Sequence, residues 1–447
     1  MSPTEDKTSL PSVSLPRQRR PTKARFDRVL DATLAGLRES VTKDVPAGAA
    51  RAYWLWGLTG TTPDHDLFTQ AIGARQLCRL TVTLLDGLVD DRDWPVLTKL
   101  VTTMNVYQLY EIISDNLGIG LALPDAPQRA VLRRFNAAMM STLEGTAMGP
   151  AHLLAPIRAA VGRLSGFAYS LAGPAHARMA TAFTGARSRP SIGAIEYGLW
   201  PLLVANIIAA RAVTERMADL AIGPVLRHGL VNRYAAVTRT IDGEHLPALE
   251  LAALGAHTIL VAPTLSFYVG ALGELLHPDP AFAGCVSDGA LSEVLWDAAM
   301  LVRLLNDIGP QLLTCATAGR RTVWRALRTA YARERPSTLE ELLLSDSAPS
   351  TVLTRLRKDL RHGEFNVALH RPRLAASMPA ALDALATAVD YFATLYALHS
   401  GRLATGLAAL RRRLEDPRPL ELVDRFVRFH EHLYANPYTD ATGEYAV

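Results

Sequence analysis

From Phe26 onward, the apolar residues Phe26, Val29, Leu30, Leu34, Leu37 and Val41 recur at steps of three and four. That spacing puts one face of a helix against a core. The same period returns along most of the chain, punctuated by Gly and Pro. It predicts helices over about 64–91, 94–117, 127–145, 151–172, 174–184, 193–218 (bent at Pro201) and 223–241. Further helices are expected over about 292–309, 350–361, 379–399, 404–414 and 419–434. Tyr53–Gly57, followed by Gly60–Pro63, reads as an aromatic turn. Ser292 suits a helix N-cap, and Ser337 with Glu340 has capping-box spacing. β-Branched runs are short, so the expected fold is all-α, a single large helical bundle over residues 25–436. A disordered basic arm (1–24) precedes it and a loose tail (437–447) follows.

Leu251–Gly273 carries no formal charge and is long enough to span a bilayer. It also holds Pro263 and three glycines, has acidic flanks at Glu250 and Glu274, and has no equal elsewhere. A central buried helix, with no stable membrane span, is the expectation.

Composition narrows the class. About half the residues are apolar and a fifth charged, which suits helices buried on several sides. The net charge of +4 is concentrated in Arg17–Arg25, and basic residues elsewhere are interspersed with acids. That pattern leaves no nucleic-acid footprint. Cys78, Cys285 and Cys315 are far apart, without zinc spacing, and read as buried thiols of a reducing compartment. The first residues lack the charged-then-apolar order of a signal peptide, so the expected location is cytoplasmic.

Two stretches carry candidate chemistry. If the apolar run Leu77–Leu85 stays helical through the next turns, Asp86, Asp90 and Asp93 lie on one face at i, i+4 and i+7. Three carboxylates so placed repel one another unless screened, and Mg²⁺ would screen them while holding a phosphate-bearing substrate. The alternative is a solvated acidic helix end, stopped by Trp94–Pro95. The second stretch is Arg303-Leu-Leu-Asn306-Asp307-Ile-Gly-Pro310. Pro310 has no amide hydrogen for the Asn306 carbonyl, so the helix should kink or end there. Here the alternative to metal binding is an Arg303–Asp307 pair at i+4.

An Asp cluster on one helix, with Asn-Asp on a later apolar helix, resembles the class I terpene synthase (terpene cyclase) family. Asp86-Gly87-Leu88-Val89-Asp90 resembles its first acidic motif, with Gly87 at the second Asp position and Asp91 as the acidic residue that often follows. Asn306-Asp307 resembles the start of its second motif, with Pro310 and Thr314 where Ser and Glu belong. The resemblance implies a class I isoprenoid synthase bundle in which the two motifs face each other. Asp86, Asp90, Asp91, Asn306 and Asp307 would then hold Mg²⁺. It also implies an isoprenyl diphosphate substrate, geranylgeranyl or farnesyl, that is ionised and cyclised. Arg402 looks like the arginine of the family's C-terminal Arg-Tyr pair, with Leu403 for the Tyr, and Arg187 and Arg189 look like diphosphate sensors. Phe267, Tyr268, Trp296, Tyr391 and Phe392 would line the carbocation pocket. The rival readings are a soluble prenyltransferase and a catalytically inactive helical protein that binds an isoprenoid or a partner. A homodimer is left open.

Overall fold

The computed structural model describes residues 23–60, 65–115, 126–161, 183, 199–243, 246–361 and 363–435, and every regular element among them is helical. The first group is α1 (Lys23–Asp44), α2 (Ala49–Gly57), α3 (His65–Ala71), α4 (Ala74–Leu85), α5 (Trp94–Asp115) and α6 (Ala126–Leu143). It continues with α7 (Leu199–Arg216) and α8 (Gly223–Asp242). The second comprises α9 (Ala248–Thr258), α10 (Val261–Gly270), α11 (Ala290–Ile308), α12 (Thr317–Glu334), α13 (Thr354–Arg361), α14 (Met378–Arg411) and α15 (Arg418–Ala435).

Helix α11 explains the architecture. Leu291, Val294, Leu295, Ala298–Val302, Leu304, Leu305 and Ile308 are all buried, so the helix is apolar on nearly every side. Such a helix must be surrounded. α9, α10, α13, α14 and α15 pack round it, each buried leucine contributing roughly 2 kcal/mol. In the N-terminal half α5 packs on α1 and α7, and α6 on α8. α8 joins the halves by packing on α9 and α10, and one contiguous core runs from Val29 to Val427.

Several expected boundaries move, each for a local reason. The helix expected over 64–91 breaks at Gly73, whose φ of 77° is left-handed, and stops at Leu85. The 251–273 segment is two helices with a bend of 47° between them. The Pro263 ring would clash with the carbonyl of residue 259 in a continuous helix, and Ile259 is accordingly extended. After α10 the chain widens into a π-helical segment, Ala271–Leu276. The aromatic turn at Tyr53–Gly57 lies within helix α2.

Helix α14 runs unbroken through Gly401, where two helices were expected. By length and composition it could cross a membrane, although half of its apolar window is buried in the fold. Helix α11 starts at Ala290 behind Gly289, ahead of Ser292, and the capping box is Thr338 with Glu341, one residue later than expected. Helix α12 was not foreseen. Pro310 does end α11, and a short helix, Pro310–Leu313, begins there. The stretch expected as 151–172 opens in short helical turns over 150–161. The helix at 174–184 and the start of the 193–218 helix fall almost wholly outside the described residues. Cys78 and Cys285 are buried free thiols as expected, whereas Cys315 is free but only half-buried.

Candidate metal centre

The acidic stretch is a loop. Asp86 turns extended at the end of α4, and Gly87 takes a φ of 75°, the left-handed region that disfavours other residues. Leu88 and Val89 then bury their side chains and pin the turn to the core. Asp90–Asp93 close a further turn, the Asp93 amide donating to the Asp90 carbonyl at 3.0 Å, and α5 starts at Trp94. Asp86, Asp90 and Asp93 therefore do not share a helical face, because the backbone leaves the helix before the first of them can direct it.

The loop divides its carboxylates between partners. Arg25, on the first turn of α1, donates from Nη1 to Asp86 and from Nη2 to Asp91, and its guanidinium lies 5.2 Å from the Trp94 ring centre. Arg425 of α15 donates to the Asp86 carbonyl at 2.7 Å. Asp90, 61% exposed, has Arg92 at 3.9 Å and Arg418 at 4.0 Å. Asp93 faces His277, which follows the π-helical segment.

One ligand atom each from Asp90, Asp93 and His277 lies within 4.8 Å of the other two. Asp93 Oδ2 and His277 Nε2 are shielded from solvent, make no hydrogen bond and stand 3.9 Å apart, with Arg92 Nε 3.6 Å from the same oxygen. A gap of 3.9 Å is too long for a hydrogen bond and admits an ion about 2.0–2.2 Å from each atom. The donor set, two carboxylates and an imidazole, fits a divalent cation. Beside it, burial works to raise the Asp416 carboxyl, but hydrogen bonds from Arg418 hold it below the usual range.

Asn306 and Asp307 do not join this group. Asp307 is fully buried, and its Oδ2 accepts from Arg303 Nη2 at 2.6 Å, Arg303 Nε at 3.0 Å and the Val367 amide at 2.8 Å. Its Oδ1 accepts from Asn306 at 3.0 Å. Burial pushes the Asp307 carboxyl up, Arg303 opposes this, and the nearby Asp359 adds to it. The Asn306 carbonyl, which Pro310 cannot serve, accepts from Arg355 Nε at 2.6 Å, and Asn306 Oδ1 accepts from Arg355 Nη2 at 2.6 Å. Asn366 ties the network together, donating at 2.7 Å to the Asp307 carbonyl and to Asp359. The Thr314 hydroxyl is likewise spent on the Pro310 carbonyl.

Both motifs are in contact with α15. Arg418, in its first turn, reaches Asp90, and Tyr434, in its last, stacks on the Arg355 that holds Asn306. Arg418 and Tyr434 stand about 24 Å apart along the helix. α15 thus touches the acidic loop at its start and, through Arg425, at its middle, and the buried brace at its end.

The remaining expected site residues scatter. Arg402 Nε lies 3.2 Å from buried Asp297, whose Oδ1 also bonds His399 Nδ1 at 2.6 Å. Phe267, Tyr268 and Phe392 are packed in the core, and Tyr391 is exposed. Trp296 lines an open, mainly apolar cavity of about 460 Å³, shared with Val225, His228, Asn232, His257 and Ser266. The His257 and Trp296 rings are tilted by 41° with centres 4.6 Å apart, and burial, helped by His228, lowers the His257 pKa. Arg187 and Arg189 lie outside the described residues.

Sequence reasoning missed Arg25, His277, Arg418 and Arg425, all of which reach the acidic loop from distant segments. It also missed a second buried network, in which Glu111 of α5 accepts from Arg233 Nε at 2.8 Å, Tyr234 at 2.5 Å and Asn206 at 2.9 Å. Each of those bonds joins α5 to α7 or α8, so the network reads as structural.

Compared with protein-family models, curated proteins and solved structures, the chain matches none.

Proposed function

We propose that this chain is a cation-dependent enzyme of the class I terpene cyclase type, built on a class I isoprenoid synthase bundle. Its substrate would be an isoprenyl diphosphate, geranylgeranyl or farnesyl. The observation that carries the reading is the pair of buried, unbonded atoms Asp93 Oδ2 and His277 Nε2, 3.9 Å apart beside the Asp90 carboxylate. Asp90 and Asp93 would supply oxygen ligands to the divalent ion, with His277 beside them. Bound there, the ion would offset the negative charge that develops on a departing diphosphate. Arg92 and Arg418 already approach Asp90 within 4.0 Å and would add positive charge for the same anion. α10, which gives Ser266 to the Trp296 cavity, runs on through the π-helical segment to His277. The apolar cavity and the cation site would therefore be joined by one continuous helical run.

The test is incubation of the purified protein with Mg²⁺ and geranyl, farnesyl or geranylgeranyl diphosphate, analysed by gas chromatography–mass spectrometry. A cyclic hydrocarbon or alcohol that vanishes in Asp90→Ala and without Mg²⁺ supports the proposal. One observation favours the second reading, a catalytically inactive isoprenoid- or partner-binding protein: both groups of the Asn306–Asp307 motif are consumed by arginines. Folded protein that turns over none of the three substrates would support it.

A further inference from the structure

We infer that Arg25 is a built-in counter-cation of the acidic loop, competing there with a divalent ion. The inference rests on the reading of Asp90, Asp93 and His277 as a cation site. Residues 86–93 carry four carboxylates against the single cation Arg92. Left alone they would repel one another. Arg25 comes from 61 residues away and sets one arm of its guanidinium on Asp86 and the other on Asp91, across the Gly87–Asp90 segment. The Trp94 ring backs it, and that ring is itself buried. Asp86 is only 12% exposed, so one half of the clamp is poorly screened by salt.

Two consequences follow. Arg25 withholds Asp86 and Asp91, two of the five ligands implied by the family pattern, from any ion in the loop. Its permanent charge, held on Asp86 and Asp91 of the same loop, also opposes the arrival of a second cation there. The coupling is reciprocal, so a bound divalent ion must loosen the hold of Arg25 on the loop by the same factor. A lysine keeps the charge but lacks the planar fork that sets one nitrogen on each carboxylate.

The test is Mn²⁺ titration of the full chain, followed by loss of the free-ion electron paramagnetic resonance signal, with circular dichroism to verify folding. Arg25→Gln is expected to bind Mn²⁺ about tenfold more tightly than the unaltered protein, as removing one charge from a partly screened site implies. Adding Asp86→Asn should cancel most of that gain. Should Arg25→Gln fail to fold, Arg25→Lys, which keeps the charge and loses the fork, should show a smaller gain of roughly threefold. Equal or weaker binding in the Arg25 variants would make the residue a structural strap and overturn this inference, leaving the cation site intact. No binding in any form would overturn both.

Discussion

Arg303 and Asp307, one turn apart on α11, form an ion pair of 2.6 Å in which neither side chain is more than 4% exposed. Removing the carboxylate would strand a guanidinium in the core, and stranded buried charges typically cost about 3–5 kcal/mol. Asp307→Ala should therefore lower the denaturation midpoint sharply. The same variant should bind divalent ions as the unaltered protein does, provided it is assayed where it is still folded. Loss of ion binding without loss of stability would return Asp307 to the metal site.

The family pattern invites a repair, Gly87→Asp, which restores the second aspartate of the first motif. The backbone forbids it to be neutral. Gly87 sits at φ 75°, where an aspartate is tolerated only at a cost of about 1 kcal/mol, although nothing lies within 4 Å of an added Cβ. Gly87→Asp should lower the melting temperature by a few degrees and fail to improve turnover. Glycine is the residue this turn favours.

His430 supplies a pH dependence. Burial among Phe426, Phe429 and Tyr434 holds its imidazole down at about 4, while Nδ1 bonds the Phe426 carbonyl at 2.7 Å. In the unfolded chain a histidine takes its proton near 6.5, so as pH falls the unfolded state is protonated first. The contribution is fully present above about pH 6.5 and is lost between there and about pH 4, by up to about 3 kcal/mol. His430→Phe, which keeps a ring and loses the titration, should flatten stability against pH in that window. An unchanged slope would place the acid sensitivity elsewhere.

Helices were legible where an apolar face was wide. α1, α5, α8 and α15 carry enough buried positions for the period to show, and Pro263 and Pro310 act through their immediate neighbours, so their breaks are local events. Helix α12 buries only Arg320, Trp324, Leu327 and Ala330, one residue per turn, too thin a signal among its arginines. The site was legible only in part. The Arg303–Asp307 pair is written into adjacent turns, and the fold makes it. The contacts of Arg25 with Asp86 and of His277 with Asp93 join separate segments. No spacing within either segment encodes them, since they arise when α1 and the π-helical segment pack beside the loop.

The proposed function places a divalent cation between Asp90, Asp93 and His277. Anomalous diffraction from crystals soaked in Mn²⁺ tests it most directly. A peak about 2.0–2.2 Å from Asp93 Oδ2 and His277 Nε2, absent in Asp93→Asn crystals, is the predicted result. A soaked crystal with no peak at the loop, or with its peak at Asn306, would contradict the account.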